Sequence, residues 1–311
     1  MIRVVQANPA MDRIEVLGRL VVDGVNRSDE THAVAGGKGG NVARGVRALG
    51  ERVAIYGFAG GPAGAFLRAA FCALGIDDRQ TPIADETRVC TIIVERDLRR
   101  STVLNEPGPV VTPSEARALV ERLVSDCRAG DLVVLCGSVP RGVEPAFYGH
   151  IIEAVRDARV RVIVDARGEV LREALRARPW MAKANARELG EALGVPLEGR
   201  PQDEILQVMR QAIGRDLEVL AITLGERGAF MASGSGAWWA RVPRIVAVNA
   251  TGAGDLFLAG FTVALARGED TLAALRLASA CGLASVQSML PELPPHADMA
   301  ALVAMVHTEA V

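Results

Sequence analysis

A doubly wound α/β fold, with a mostly parallel sheet and helices on both faces, is what this sequence predicts. Three observations predict it. Short runs rich in valine and isoleucine alternate with runs of helical length along nearly the whole chain. These strand runs are apolar throughout, as strands covered on both faces are. Two stretches, 13–34 and 87–104, break the alternation with β-rich, turn-containing sequence, so a small antiparallel β lid is expected over the main sheet. The 311 residues suit one domain over 1–311, lid segments included.

The elements follow in order. RVVQA (3–7) reads as a buried strand, and 13–34 as an antiparallel excursion. Asn41–Leu49 reads as a helix ended by Gly50. VAIYGF (53–58) is a strand, and Pro62–Leu74 a helix ended by Gly75. TRVCTIIVERDLRRSTVL (87–104) is a hairpin with a charged turn at Arg96–Arg100. Thr112-Pro113-Ser114-Glu115 is a capping box with proline at the first helical position, opening a helix to about Cys127. Strands are expected at 131–137, 161–166 and 180–185. Helices are expected from about Pro145, around Glu169–Arg176, from Asn185 through Leu193, and at 202–214. Three strands, 219–225, 229–233 and 237–242, are separated by glycine-rich turns. VPRIVAV (242–248) reads as a further buried strand. LFLAGFTVALARG (256–268) is apolar nearly all round and reads as a buried helix. Helices at Thr271–Ser288 and Asp298–Val306 close the chain. In the lid, Val16, Leu20 and Val22 and then Val89, Thr91 and Ile93 are expected on one buried face.

Composition narrows the function. A formal net charge of −2 gives no reason to expect nucleic acid as a partner. The start, MIRVVQANPAMD, lacks the features of a signal peptide, and no apolar run is long enough to span a membrane. The five cysteines are scattered, with no C-x-x-C pair, so a reducing cytoplasmic location without zinc or disulfides is expected. Lys38 and Lys183 are the only lysines.

Chemistry concentrates in NATGAGD (249–255). Gly252, Ala253 and Gly254 are expected on the turn into a helix, where free backbone N–H groups at the positive end of the dipole form an anion hole. Asp255 falls in the first helical turn. It is either a partner for the helix dipole, or a general base that takes a proton from a hydroxyl attacking a phosphoryl group in the hole. GGKGGN (36–41) is neither a Walker A loop, since Gly39 follows Lys38, nor a dinucleotide fingerprint, since Val42 occupies the third glycine position. It is either a plain glycine turn or a backbone platform for a polyhydroxy ligand, with Lys38 and Asn41 touching oxygens. Asp12 in NPAMD (8–12) is a turn residue or a carboxylate for sugar hydroxyls. Asn185 and Glu188 in NARE (185–188) form a capping box, or order magnesium and phosphate through water.

Together these residues resemble the ribokinase-like sugar kinases, the phosphofructokinase B family. GGKGGN and TGAGD match the family's two signatures in type, order and separation. NARE matches its magnesium-associated N-x-x-E, and TLGERGA (223–229) its nucleotide-binding strand and turn. NPAMD, Thr87-Arg88, NEPGP (105–109) and GSVPRG (137–142) resemble the branch acting on phosphorylated hexoses, that of 1-phosphofructokinases and tagatose-6-phosphate kinases. The resemblance implies a ribokinase-like fold with a β lid. It implies ATP with Mg2+ and phosphorylation of fructose 1-phosphate to the 1,6-bisphosphate; tagatose 6-phosphate, fructose 6-phosphate, or a free sugar or nucleoside are the alternative acceptors.

The roles it implies are Asp255 as base, with Gly252, Ala253 and Gly254 as anion hole. Asp12, Gly37, Lys38, Asn41, Arg88 and Arg141 would hold the substrate. Lys183, Asn185, Thr223, Gly225 and Gly228 would hold the nucleotide, and Glu188 the metal through water. A homodimer joined through the lid is implied as well. Three departures stand out: Lys183-Ala184-Asn185 where many members have Lys-Pro-Asn, Arg141 after Val139-Pro140 where many have a double proline, and Asn249-Ala250 where many have Asp and Thr or Ser. A dehydrogenase lacks its G-x-G-x-x-G run here, and a non-catalytic sugar-binding regulator would not need Asp255.

Overall fold

The computed structural model describes residues 1–214 and 217–311. Its strands are β1 (Ile2–Gln6), β2 (Ala10–Leu17), β3 (Glu30–Gly36), β4 (Val53–Ala59), two-residue β5 (Asp77–Asp78) and β6 (Thr81–Pro82), β7 (Arg88–Glu95), β8 (Arg100–Asn105), β9 (Leu132–Cys136), β10 (Arg161–Asp165), β11 (Met181–Asn185), β12 (Val219–Thr223), β13 (Ala229–Ser233), β14 (Gly236–Arg241) and β15 (His307–Ala310). Its helices are α1 (Lys38–Ala48), α2 (Gly61–Ala73), α3 (Pro113–Asp126), α4 (Phe147–Ala154), α5 (Gly168–Arg176), α6 (Ala186–Leu193), α7 (Gln202–Ala212), α8 (Ala253–Ala266), α9 (Thr271–Ser285) and α10 (Met299–Ala304).

The large sheet runs β15-β14-β13-β12-β11-β10-β9-β1-β4-β5, with β6 also on β4. From β4 to β12 every pairing is parallel, and β13, β14 and β15 add an antiparallel edge. Strands β1, β4 and β9 are buried at every position, which is why their sequences show no alternation. One apolar core lies on each face. The first gathers Leu119, Ile151, Leu171, Leu189 and Ile205 from α3 to α7. The second gathers Val42, Leu67, Phe261 and Leu275 from α1, α2, α8 and α9. Helix α8 is buried along almost its whole length, as its unbroken apolar sequence requires. The capping box at Thr112 is present, with both of its reciprocal bonds.

The run 242–248 is not a strand. Chain leaving β14 finds the neighbouring sheet edge already taken by β15, so this segment has nothing to pair with. Ile245, Val246 and Val248 are exposed, Val246 to 74%. Strand β15, HTEA, was not anticipated.

A second sheet of four strands, β3-β2-β7-β8, comes from the two interrupting segments. Each hairpin is antiparallel, and the two join through parallel pairing of β2 with β7. Its buried face is Ile14, Val16, Ile92 and Val94, packed on Met289 and Leu290. The expectation for β7 was therefore one residue out of phase: Val89, Thr91 and Ile93 are half-buried on the opposite face. Leu20 and Val22 lie beyond the end of β2, and Val22 is 86% exposed.

Candidate active site

The parallel strands present polar residues along one edge of the large sheet. Register aligns Gln6, Cys136 and Asp165 at the ends of β1, β9 and β10, and Asn185 with Thr223 at the ends of β11 and β12. Ligands of open α/β sheets bind at this carboxyl edge. A cavity of about 570 Å³ opens there. Lys38, Lys183, Asn185, Glu188, Thr223, Gly225, Gly228, Gly252, Ala253, Gly254 and Asp255 all line it. Residues from four separated stretches of sequence thus share one wall.

Gly252 caps α8 with φ 82°, and a Cβ there would stand 2.4 Å from Cβ of Pro291; both conditions call for glycine. The Ala253 N–H donates to Ala250 O at 3.3 Å, and the Asp255 N–H to Gly252 O at 2.9 Å. Among the described residues no backbone carbonyl takes the Gly252 or Gly254 amide, so these two are left at the positive end of the helix. The Lys183 ammonium lies close by: a Cβ on Gly254 would be 2.8 Å from its Nζ. Asp255 is buried, and its Oδ2 accepts from Asn41 Nδ2 at 2.8 Å. Burial pushes its carboxyl up to about 6, partly countered by the Lys38 and Lys183 ammonium groups.

Asp165, at the end of β10, was missed in the sequence. Both lysines converge on it: Lys38 Nζ donates to Oδ1 at 2.6 Å and Lys183 Nζ to Oδ2 at 2.8 Å. Lys38 also reaches Glu188 Oε1 at 3.2 Å. Burial would raise the Asp165 carboxyl, but the two ammonium groups outweigh it and hold it below the usual range. Burial would lower Lys38, but Asp165, Asp255 and Glu188 outweigh it and hold it well above its usual value. A usable signal existed. Two lone lysines near a buried sheet edge need a counter-charge, and RVIVDA is an apolar strand ending in an acid.

Asn185 and Glu188 form the reciprocal capping box of α6, at 2.8 and 3.0 Å. Among the described residues, no group of three or more His, Cys, Asp or Glu stands together as a metal site. Mg2+ commonly keeps its waters and leans on substrate phosphates with one or two carboxylates. Glu188, a carboxylate of the cavity wall, fits that outer mode.

On the small sheet, Asp12 is buried on β2, and the Gly37 N–H donates to its Oδ2 at 3.4 Å. Burial pushes its carboxyl up to about 6, against the Gly37 amide and the more distant Arg44 and Arg88. Gly36 lies so close that a Cβ would stand 2.0 Å from Asp12 Oδ2. Asn41 sits on α1 between Asp255 and Arg44. Arg88 donates to Asn8 O, Pro9 O and Glu106 O at 3.1–3.4 Å, and Arg141 Nε to Gly108 O at 2.9 Å. Arg88, near enough to act on Asp12, braces the 8–9 and 106 backbone, Arg141 braces the loop at Gly108, and neither lines the 570 Å³ cavity.

Residues 6–297 match the profile of the pfkB family carbohydrate kinases. A 1-phosphofructokinase from Rhodobacter capsulatus is 33% identical over 302 residues, covering 97% of this chain and 95% of that protein. The tetrameric inhibited form of phosphofructokinase-2 from Escherichia coli has the same fold, with a TM-score of 0.90 at 24% identity, covering 97% of this chain and 98% of that one. Ribokinase from Arabidopsis thaliana, complexed with ribose and ATP, superposes with a TM-score of 0.74 at 21% identity, covering 98% and 97%. Among the described residues no helix is long and apolar enough to cross a membrane.

Proposed function

The chain belongs to the pfkB family of carbohydrate kinases and is an ATP-dependent sugar kinase, and on that premise we propose that it converts fructose 1-phosphate to fructose 1,6-bisphosphate with Asp255 as general base. One observation carries the reading of the base. Asp255 is buried at the foot of α8, beside free amides and two lysines, with one carboxylate oxygen held by Asn41. Its other oxygen is left for a substrate hydroxyl. A carboxyl near 6 is ionised at neutral pH yet basic enough to take a proton in the transition state. The choice of acceptor rests on the relative from R. capsulatus and on Arg88, beside Asp12, with Arg141 at the Gly108 loop.

In this reading the sugar hydroxyl gives its proton to Asp255 and its oxygen attacks the γ-phosphorus. The bond from phosphorus to the bridging oxygen breaks, and ADP leaves. The Gly252 and Gly254 amides and the lysine ammonium groups stabilise charge on the phosphoryl oxygens, which is most of what such a transfer asks of a protein. Lys183, Asn185, Thr223, Gly225 and Gly228 hold the nucleotide. Mg2+, with Glu188 reaching it through water, would neutralise the phosphates. Asp12, Gly37, Lys38 and Asn41 hold the sugar, and Arg88 and Arg141 its phosphate. The small sheet serves as a lid on a single domain, closing to exclude water. Its outer face, with Val89, Thr91 and Ile93, joins two copies in a homodimer. The setting is the cytoplasm, where ATP is supplied.

The test is ADP release with fructose 1-phosphate, fructose 6-phosphate, tagatose 6-phosphate and free fructose, repeated with Asp255→Asn. Fructose 1-phosphate is expected to give the highest kcat/KM. The variant is expected to lose about 10²–10⁴-fold in kcat, the usual worth of a general base. Near-full turnover in the variant would remove Asp255 from the chemistry, and preference for the free sugar would remove the sugar phosphate.

A further inference from the structure

We propose that Arg44 is the positioning residue of the Asp255 carboxylate, acting through the side-chain amide of Asn41. The inference rests on the reading of Asp255 as the base.

Asn41 and Arg44 stand three residues apart on α1 and so share a face of the helix. Arg44 Nη2 donates to Asn41 Oδ1 at 2.6 Å. A guanidinium only donates, so the amide oxygen must face it. The amide nitrogen then faces the other way, and it is this nitrogen that donates to Asp255 Oδ2 at 2.8 Å. Were the amide turned over, its oxygen would oppose the carboxylate, a repulsive contact once Asp255 is ionised. Arg44 and the carboxylate favour the same orientation of the amide, and Arg44 holds it there whether or not Asp255 is ionised.

The same Nη2 donates to Pro291 O at 3.0 Å. Pro291 abuts Gly252, where an added Cβ would lie 2.4 Å from its own Cβ. One guanidinium therefore ties α1, the segment behind the anion hole, and the amide on the base into one unit. Arg44 Nε is buried without a partner. A buried donor left unmet costs about 1–3 kcal/mol, which offsets part of what the two Nη2 bonds contribute to the fold.

The charged groups facing Asp255 are Lys38 and Arg44 from α1, Lys183 from β11 and Asp165 from β10. Helix α9 adds Ser279 and Gly282, both uncharged, to the cavity wall. Asp12 on β2 and Glu292 after Pro291 also face Arg44. Loss of Arg44 removes a cation near Asp255 and frees the amide, and both changes disfavour the ionised carboxylate. The acidic limb of kcat must then move to higher pH.

The experiment measures kcat against pH, both Michaelis constants and Tm for Arg44→Met, Asn41→Ala and the double variant. Arg44→Met is expected to lower kcat about 10–100-fold, the scale of a small misplacement of reacting groups. It should shift the acidic limb upward and change the KM for ATP little. In the Asn41→Ala background, Arg44→Met should add little further loss, because both substitutions break one chain of contacts. Losses in kcat that multiply in the double variant, or an unmoved limb, would overturn the proposal. If Arg44→Met fails to fold, Arg44→Lys decides. An ammonium can still donate to Oδ1, so its limb should stay at the wild-type position, and a limb displaced upward would count against the role. The base assignment fails separately: Asp255→Asn with normal turnover removes the base itself. An inactive Asp255→Asn with multiplicative losses at 41 and 44 removes only the role of Arg44.

Discussion

Asp12 and Asp255 are two buried carboxyls, one on the small sheet and one on α8, both pushed to about 6, and their surroundings are opposite in kind. Asp255 stands on the first turn of a helix packed on the large sheet, with two ammonium groups and another carboxylate around it. Asp12 stands in a strand of the small sheet, with one long bond from a backbone amide and two guanidinium groups farther off. Burial sets the value in both cases; neighbours set the use. A carboxylate beside free helix amides and lysines is placed to take a proton where phosphoryl charge is being moved. One with a single backbone amide on it, and glycine in place of a side chain at Gly36, keeps lone pairs open, which suits the proposed role of accepting from sugar hydroxyls. Equal basicity therefore says little about role, and geometry says most.

The largest effect that could break this contrast comes from neutralising each in turn. With the Asp255→Asn loss falling on kcat, Asp12→Asn is expected to raise the KM of the sugar substrate roughly 10–100-fold, because a hydrogen bond to a charged group is worth about 1.5–3 kcal/mol. Its kcat should fall much less. Initial-rate measurements on both variants settle it, and two variants with the same pattern would erase the distinction.

A smaller effect sharpens it. On the proposed roles both carboxyls act ionised in the free enzyme, so kcat/KM for the sugar should fall below about pH 6 with a slope approaching two, while kcat falls with a slope of one. Arg88 is among the charges that lower Asp12, so Arg88→Ala should move the kcat/KM limb upward and leave the kcat limb in place. Movement of both limbs together would mean the two sites are not separate.

The smallest effect is on stability. The folded-state value of Asp255 lies above the ordinary range, so its ionisation costs the folded state. That cost is fully present above about pH 6 and vanishes below the unfolded value. Asp255→Asn should therefore raise Tm by a few degrees at pH 8, since each kcal/mol shifts Tm by about 1–2 °C in a chain of this size, and by less at pH 4. A calorimetric scan showing the reverse order would mean that the lysines need Asp255 more than burial opposes it.

Much of this arrangement could be read from the residues. Apolar strand runs and the box at Thr112 identify their elements because the cause is local. The failures have causes that are not local. The run 242–248 has the composition of a strand, but whether an edge is free for it depends on β15, a polar tetrapeptide some sixty residues later with no pattern of its own. Strand β7 has apolar residues in both phases, Val89 and Ile93 against Ile92 and Val94, so its sequence carries no clear phase, and packing on Met289 and Leu290 chooses the buried side. Asp165 belongs to no motif; its importance comes from two lysines 127 and 18 residues away. Asn185 and Glu188 were legible at once as a capping pair, because both partners lie within one helical turn.

The convergence of Lys38 and Lys183 on Asp165 has a consequence for labelling chemistry. These are the only side-chain amines in the protein, and both point into the same charged cluster, Lys183 almost wholly enclosed with 4% of its side chain accessible. An acylating reagent needs a free, unprotonated amine. Lys38 is held protonated by three carboxylates, and Lys183 is walled off. Side-chain acylation of the folded protein is therefore gated by opening of this one cluster, so the rate at which an amine reagent modifies these two lysines is a clock for how often the cluster comes apart.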